Sequence, residues 1–229
     1  MFTIIAFVSQ KGGVGKSTLS RALAREASIG GLRTKIADLD TQQGTTVDWL
    51  RDRLNAGIQP EIAAESFATA AQALKIAHQY DLLIIDGPAR MSKGTLEIAT
   101  VADLVVQPTG ASRDDLRPAI REFHALVQAG IPKAKLTFAL NRIGTPTEEA
   151  EARAYIGEAG YAVLDGCLLD RPAYRKAQNG GYSVTETTFS TLNTRADALI
   201  QALIDRIGDS DGRSIETETP NHVRRSAAS

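Results

Sequence analysis

Two lysines bracket a run of glycines near the N-terminus, in Ser9-Gln10-Lys11-Gly12-Gly13-Val14-Gly15-Lys16-Ser17-Thr18. Residues without a Cβ accept positive φ, so such a loop can turn successive N–H groups toward one centre. That chemistry suits an anion, and with Lys16 and Ser17 it suits a polyphosphate. Lys16 would reach the β- and γ-phosphates, the Ser17 hydroxyl would ligate Mg²⁺, and a helix starting near Lys16 would add its positive end. The carboxylates available to such a centre are Asp38 and Asp40, two apart, and Asp86, which closes an apolar run.

The loop needs a strand before it and a helix after it, and both are legible. Phe2-Thr3-Ile4-Ile5-Ala6-Phe7-Val8 reads as a strand over about 2–8. Positions 16–29 read as a helix with Leu19, Leu23 and Ala27 on one face, ended by Gly30-Gly31. Thr34 to Asp40 reads as a second strand, in which Asp38 and Asp40 point the same way. Open parallel sheets bind ligands beyond the carboxyl ends of their strands, which puts both carboxylates beside the loop; either could instead cap the next helix. Tyr80 to Pro88 is a continuous apolar run ending in a carboxylate and a turn, as expected of a strand buried on both faces. Asp86 would hold Mg²⁺ through water or Ser17, and Gly87-Pro88-Ala89 would sense the γ-phosphate through backbone groups.

Composition bounds the rest. A chain of 229 residues suits one α/β domain, and 43% hydrophobic with 23% charged residues is ordinary for a globular protein. No apolar run approaches the ~20 residues of a membrane span, and no signal peptide precedes the first strand, so the cytoplasm is the expected address. The single cysteine, Cys167, excludes an intrachain disulfide and a Cys-x-x-Cys metal or iron–sulfur site. A net charge of -1 means that nucleic-acid binding would need a local basic patch.

Further along, Pro60 to Ala64 reads as a short edge strand and about 67–79 as an alanine-rich helix. Ala102 to Pro108 and Leu136 to Asn141 read as strands. Arg113, Arg117 and Arg121 share a helix face, read as solvated with Asp114 and Asp115 as counter-charges, or as a contact for DNA or a partner. A final amphipathic helix over about 190–207 buries Leu192, Ala196, Leu199, Ile200 and Leu203. After Gly208 few apolar residues remain, so 1–208 is expected to be the domain and 209–229 a flexible tail containing Arg224-Arg225.

The glycine loop is a Walker A motif with an added leading lysine, and Lys-Gly-Gly-Val-Gly-Lys-Ser-Thr resembles the deviant form of the ParA/MinD group of ATPases. The resemblance spans about 1–207 and implies an α/β P-loop NTPase fold, with a twisted, mostly parallel sheet and helices on both faces. It implies ATP and Mg²⁺ as cofactors, with Lys11, Gly12, Gly13, Val14, Gly15, Lys16, Ser17 and Thr18 around the phosphates. Lys11 would cross a dimer interface to the partner's nucleotide. Asp38-Leu39-Asp40-Thr41-Gln42 is similar to the family's Asp-x-Asp-Pro-Gln, in which the second carboxylate orients the attacking water and the first lies near the Mg²⁺ shell; Thr41 replaces the usual proline. Catalysis would then fall to Lys11, Lys16 and Asp40, and metal binding to Ser17, Asp38 and Asp86.

Asn141-Arg142 stands where related ATPases contact adenine, although an asparagine closing a strand also serves as a turn residue. The segment Asp170 to Val184 resembles the family's stretch after the last strand. Arg171, Arg175 and Lys176, with Arg195 on the final helix, are the DNA-binding candidates, the alternative being an exposed face near the base pocket. The implied function is DNA partition: an ATP-dependent homodimer on non-specific DNA, released when a centromere-binding partner of ParB or ParG type stimulates hydrolysis. Its place would be the nucleoid. A ParA-like ATPase positioning another cargo, or a MinD-like membrane-positioning ATPase, is the alternative, and for the latter Thr219 to Ser229 lacks a bulky apolar face.

Overall fold

Each apolar run alternates its side chains between two cores, and that alternation builds a sheet covered on both faces. The computed structural model describes residues 2–41, 44–88 and 93–210. Its strands are β1 (Thr3–Phe7), β2 (Thr34–Asp38), β3 (Ala63–Ser66), β4 (Leu82–Asp86), β5 (Leu104–Thr109), β6 (Leu136–Ile143) and β7 (Ala162–Leu169). All pair in parallel, in the order β3-β2-β4-β1-β5-β6-β7. The expected α/β fold is therefore present, and the sheet is parallel throughout.

Helices α1 (Lys16–Ile29), α2 (Thr45–Asn55), α7 (Pro172–Asn179) and α8 (Ser190–Ser210) cover one face; α3 (Ala70–Leu74), α4 (Lys93–Val101), α5 (Arg113–Gln128) and α6 (Pro146–Glu158) cover the other. Along β1, Ile5 and Phe7 join the core under α1 and α8, while Ile4 and Ala6 join the core on the opposite face. A buried Ile or Phe side chain of this kind contributes about 1.5–3 kcal/mol, which commits the strand to one register.

Several expectations shift. The edge strand begins at Ala63 rather than Pro60: the first paired residue is Ala63, opposite Lys35, while Pro60 has no N–H to give and its carbonyl, like that of Gln59, accepts from Arg53 instead of a strand. The alanine-rich helix is cut to Ala70–Leu74, started by the Thr69 side chain, with a separate 3-10 turn over Ala77–Gln79. Its fully buried anchors are the alanines Ala70, Ala73 and Ala77, with Phe67 and Leu74 only partly buried, and that small area does not hold a long helix in place.

Two helices, α4 and α6, have no counterpart in the sequence reading. For α6 a signal existed: Thr145 Oγ1 accepts the Glu148 N–H at 3.2 Å, the Glu148 carboxylate accepts the Gly144 N–H at 2.9 Å, and Pro146 takes the first turn. The helix buries only Ala152 and Ile156, so no apolar stripe announces it. The final helix runs to Ser210, while the rest of the expected tail, Gln42 of the Asp38 to Gln42 segment and Ala89 of the γ-phosphate segment lie outside the described residues.

Candidate functional site

The glycine loop leaves β1 at Phe7 and enters α1 at Lys16, with Gly13 and Gly15 at φ 74° and 113°. Position 15 accepts only glycine, since a Cβ there would lie 2.0 Å from Asn141 Nδ2. Asn141, at the end of β6, donates that amide to the Val14 carbonyl at 2.6 Å and so props the loop from below. Its neighbour Arg142 adopts a left-handed backbone, φ 57°, bound through its N–H to Asn141 Oδ1 at 2.9 Å. That conformation brings the guanidinium over Gly13. Both residues named for adenine therefore touch the loop itself.

The carboxylates meet through strand register. Asp38 and Asp86 are direct partners across the β2–β4 ladder. Their alternation puts both on the face shared by α1 and α2. Asp38 is 1% and Asp86 2% exposed, and burial raises the pKa of each, to about 6 for Asp86. Asp38 takes the capping alternative, accepting the N–H of Asp40 at 2.9 Å and of Thr46, in the first turn of α2, at 3.2 Å. The expectation that Asp38 and Asp40 project side by side from one strand is corrected here. β2 ends at Asp38, whose side chain turns the backbone at Asp40 in an Asx turn. Asp40 stays close enough to stabilise the charged form of Lys16.

Lys16 is only 8% exposed, and desolvation lowers its pKa against the pull of Asp86, Asp40 and Glu122. Asp86 Oδ2 accepts the Thr46 hydroxyl at 2.8 Å, while its buried Oδ1 has no hydrogen bond of ordinary geometry. The Ser17 hydroxyl lies near enough to favour the ionised carboxylate. No cluster of three acidic, histidine or cysteine ligands occurs among the described residues. A divalent ion here would draw on phosphate oxygens, water, the Ser17 hydroxyl and the open oxygen of Asp86, the donor set that suits Mg²⁺.

Lys11 stands half-exposed at the rim, its ammonium ion-paired with Asp115 in the first turn of α5. Asp115 is thus a partner of the loop, and not of the arginines on its own helix; Arg113 lies over the Tyr155 ring at 3.9 Å. Beside this pair opens a cavity of about 410 Å³ lined by Lys11, Gly12, Val14, Ser112, Asp115 and Arg142, among others. Two turns further along α5, buried Glu122 accepts the Gln10 N–H at 3.1 Å and the Gln107 amide at 2.7 Å. Thr18 donates to Gln178 of α7 at 3.0 Å. Sequence reading puts Thr46 in a flexible switch over Gln43 to Thr46, whereas it lies buried in α2. It missed Glu122 and Gln178, which are recruited from distant segments, and Arg21, whose partner is Thr46.

The basic candidates lie on or beside α7. Arg171, Arg175, Lys176 and Arg195 are all exposed, and Arg175 pairs with Asp170 at 2.8 Å. Arg171 and Arg195 both act electrostatically on Tyr174, so α7 and α8 bring them to one neighbourhood.

A strand, a glycine loop and a helix, in a parallel sheet that aligns Asp38 with Asp86 beside Lys16, define a P-loop nucleotide-binding domain. Residues 5–184 match the model of the CobQ/CobB/MinD/ParA nucleotide binding domain, and the chain belongs to this ParA/MinD family of P-loop ATPases. A similar relative is the maintenance of carboxysome distribution protein A of Gloeobacter kilaueensis, 26% identical over 187 residues that cover 80% of this chain and 84% of that one. Another is protein ParA of Rhizobium radiobacter, 26% identical over 182 residues, 75% of this chain and 80% of that one. Among solved structures, the septum site-determining protein MinD of Pyrococcus horikoshii, complexed with Mg-ADP, shares the fold at a TM-score of 0.70 and 18% identity. That likeness covers 92% of this chain and 99% of the other.

Proposed function

We propose that this protein is a Mg²⁺-dependent ATPase of the ParA type that partitions DNA. The observation that carries the reading is the double-lysine loop: Lys16 is buried among carboxylates at the phosphate nest, whereas Lys11 stands half-exposed at the rim of the cavity, held only by a surface pair with Asp115. Lys11 is then available to a second subunit's nucleotide. The ParA relative supports the choice of cargo.

Phosphoryl transfer to water needs positioning and charge stabilisation more than covalent help. The loop N–H groups and Lys16 hold the triphosphate, and Asp86 with Ser17 holds the ion. Asp40 aligns the water, and Lys11 of each subunit offsets charge on the other's phosphates. Mg²⁺ supplies Lewis-acid stabilisation of the departing charge. Asn141 and Arg142 brace the loop on the side where the base enters. The closed dimer would join two patches built from Arg171, Arg175, Lys176 and Arg195 into one surface for DNA phosphates, and a ParB- or ParG-type protein would trigger release.

The test is DNA retention by purified protein with ATP, ADP or no nucleotide, repeated across salt. Retention that needs ATP and falls steeply with salt is expected, and Arg171→Ala should lower it without affecting dimerisation. Retention equal in all three nucleotide states would refute the reading. The carboxysome relative favours a second reading, a ParA-like ATPase positioning a protein assembly. Co-purification with such an assembly, and no dependence of plasmid inheritance on the gene, would decide for it.

A further inference from the structure

Thr46 joins three parts of the site that belong to different segments of the chain. It lies in the first turn of α2 and is wholly buried. Its N–H donates to Asp38 Oδ2 at 3.2 Å, its hydroxyl to Asp86 Oδ2 at 2.8 Å, and its oxygen accepts Arg21 Nε at 3.3 Å. A hydroxyl has one proton, so giving it to Asp86 leaves the lone pairs for Arg21, and the pattern has one orientation.

Behind Thr46 the contacts continue. The Arg21 guanidinium lies 5.3 Å from the Trp49 ring centroid, and that of Arg53 lies 5.6 Å from it. Trp49 Nε1 donates to the Tyr182 carbonyl at 3.0 Å, and Arg53 binds the Gly181 carbonyl and the Glu186 carboxylate. A continuous series of polar contacts thus leads from Asp86 to the segment that follows α7.

We propose that Thr46, with Arg21, positions Asp86 for the metal and transmits the metal's arrival to α2 and Trp49. The inference rests on the reading of Asp86 as the metal carboxylate. Two buried carboxylates side by side need positive charge, and Arg21 provides it through Thr46. Asp86, with its open oxygen on a divalent ion, would need that charge less, and its hold on Thr46 and Arg21 would weaken. The first turn of α2 then relaxes together with Asp40, only a few residues upstream, and Arg21 moves on the Trp49 ring.

The experiment measures ADP binding by calorimetry in excess Mg²⁺ and in EDTA, with intrinsic emission recorded from Trp49, the sole tryptophan. ADP removes hydrolysis from the comparison. Thr46→Val should bind ADP in EDTA as the wild type does, lose about 10- to 100-fold of the affinity gained with Mg²⁺, and lose the Mg²⁺-dependent emission change. Thr46→Ser, which keeps the hydroxyl, should restore both. Arg21→Gln, which keeps a donor without the charge, should also abolish the emission change, and it decides the matter should Thr46→Val not fold. A wild-type Mg²⁺ gain and emission change in Thr46→Val or Arg21→Gln would overturn the proposal. A wild type whose affinity rises with Mg²⁺ while Trp49 stays silent would overturn it alone, and a wild type that binds no ADP would overturn the proposed function with it.

Discussion

Replacing Asp115 with asparagine should strengthen the proposed ATP-dependent dimer. In the single chain the Lys11 ammonium is paired with Asp115, and this pair must open before Lys11 can reach a second subunit. The Lys11 side chain is 50% and the Asp115 side chain 20% exposed, so the pair belongs with solvent-screened surface bridges. Burial alone would raise the Asp115 pKa, but hydrogen bonds from Lys11 and Ser112 more than offset this and leave it below the usual carboxylate range. The pair therefore persists at neutral pH and is lost as acid protonates Asp115.

Exposed pairs of this kind are worth about 0.2–1 kcal/mol, and a twofold dimer opens two of them. Removing both favours association by about 0.4–2 kcal/mol, or about 2- to 30-fold. Asparagine retains an oxygen for the Ser112 hydroxyl, so the start of α5 is preserved. Sedimentation with a non-hydrolysable ATP analogue gives the dimer constant. The gain should shrink at high salt, where the wild-type pair is already screened. A constant equal to or weaker than that of the wild type at low salt would refute the idea that Asp115 holds Lys11 back.

Gly15→Ala should abolish nucleotide binding, measured by calorimetry, because the new Cβ meets the Asn141 amide and the backbone is held at φ 113°. Arg53→Met should destabilise the fold by about 3–5 kcal/mol, since it leaves Glu186 buried without its main partner. For a domain of this size that corresponds to a fall of about 6–20 °C in the thermal midpoint. Asp86→Asn should raise stability at pH 7 and flatten its pH dependence. Burial lifts the folded-state pKa of Asp86 to about 6, so the native state binds more protons than the unfolded chain, and stability falls as pH rises from about 4 to about 6. Asp38 and Glu122 are raised in the same direction and add to this slope. Denaturant melts across pH check it, and an unchanged slope in Asp86→Asn would count against the buried-carboxylate account.

Local features were legible because their cause is local. The glycine loop, the helix over 16–29 and the terminal carboxylate of β4 follow from residue type and near-neighbour spacing. The edge strand starts later than read because the carbonyls of Gln59 and Pro60 go to Arg53, a partner from another element. The alanine helix was cut short because its side chains bury too little. The turn at Asp38 was missed as such because the side chain satisfies a backbone N–H two residues on, which ends the alternation read for Asp40.

By itself the sequence determined that this chain carries a phosphate-binding loop with two lysines, and that buried parallel strands would frame it. It did not determine which carboxylates face each other, nor where Lys11 rests. Those depend on the register of β2 against β4, on the packing of α2 over α1, and on the approach of α5 to the loop. Register and packing are chosen by the total area buried across residues far apart in the chain, a quantity that no short window of sequence contains.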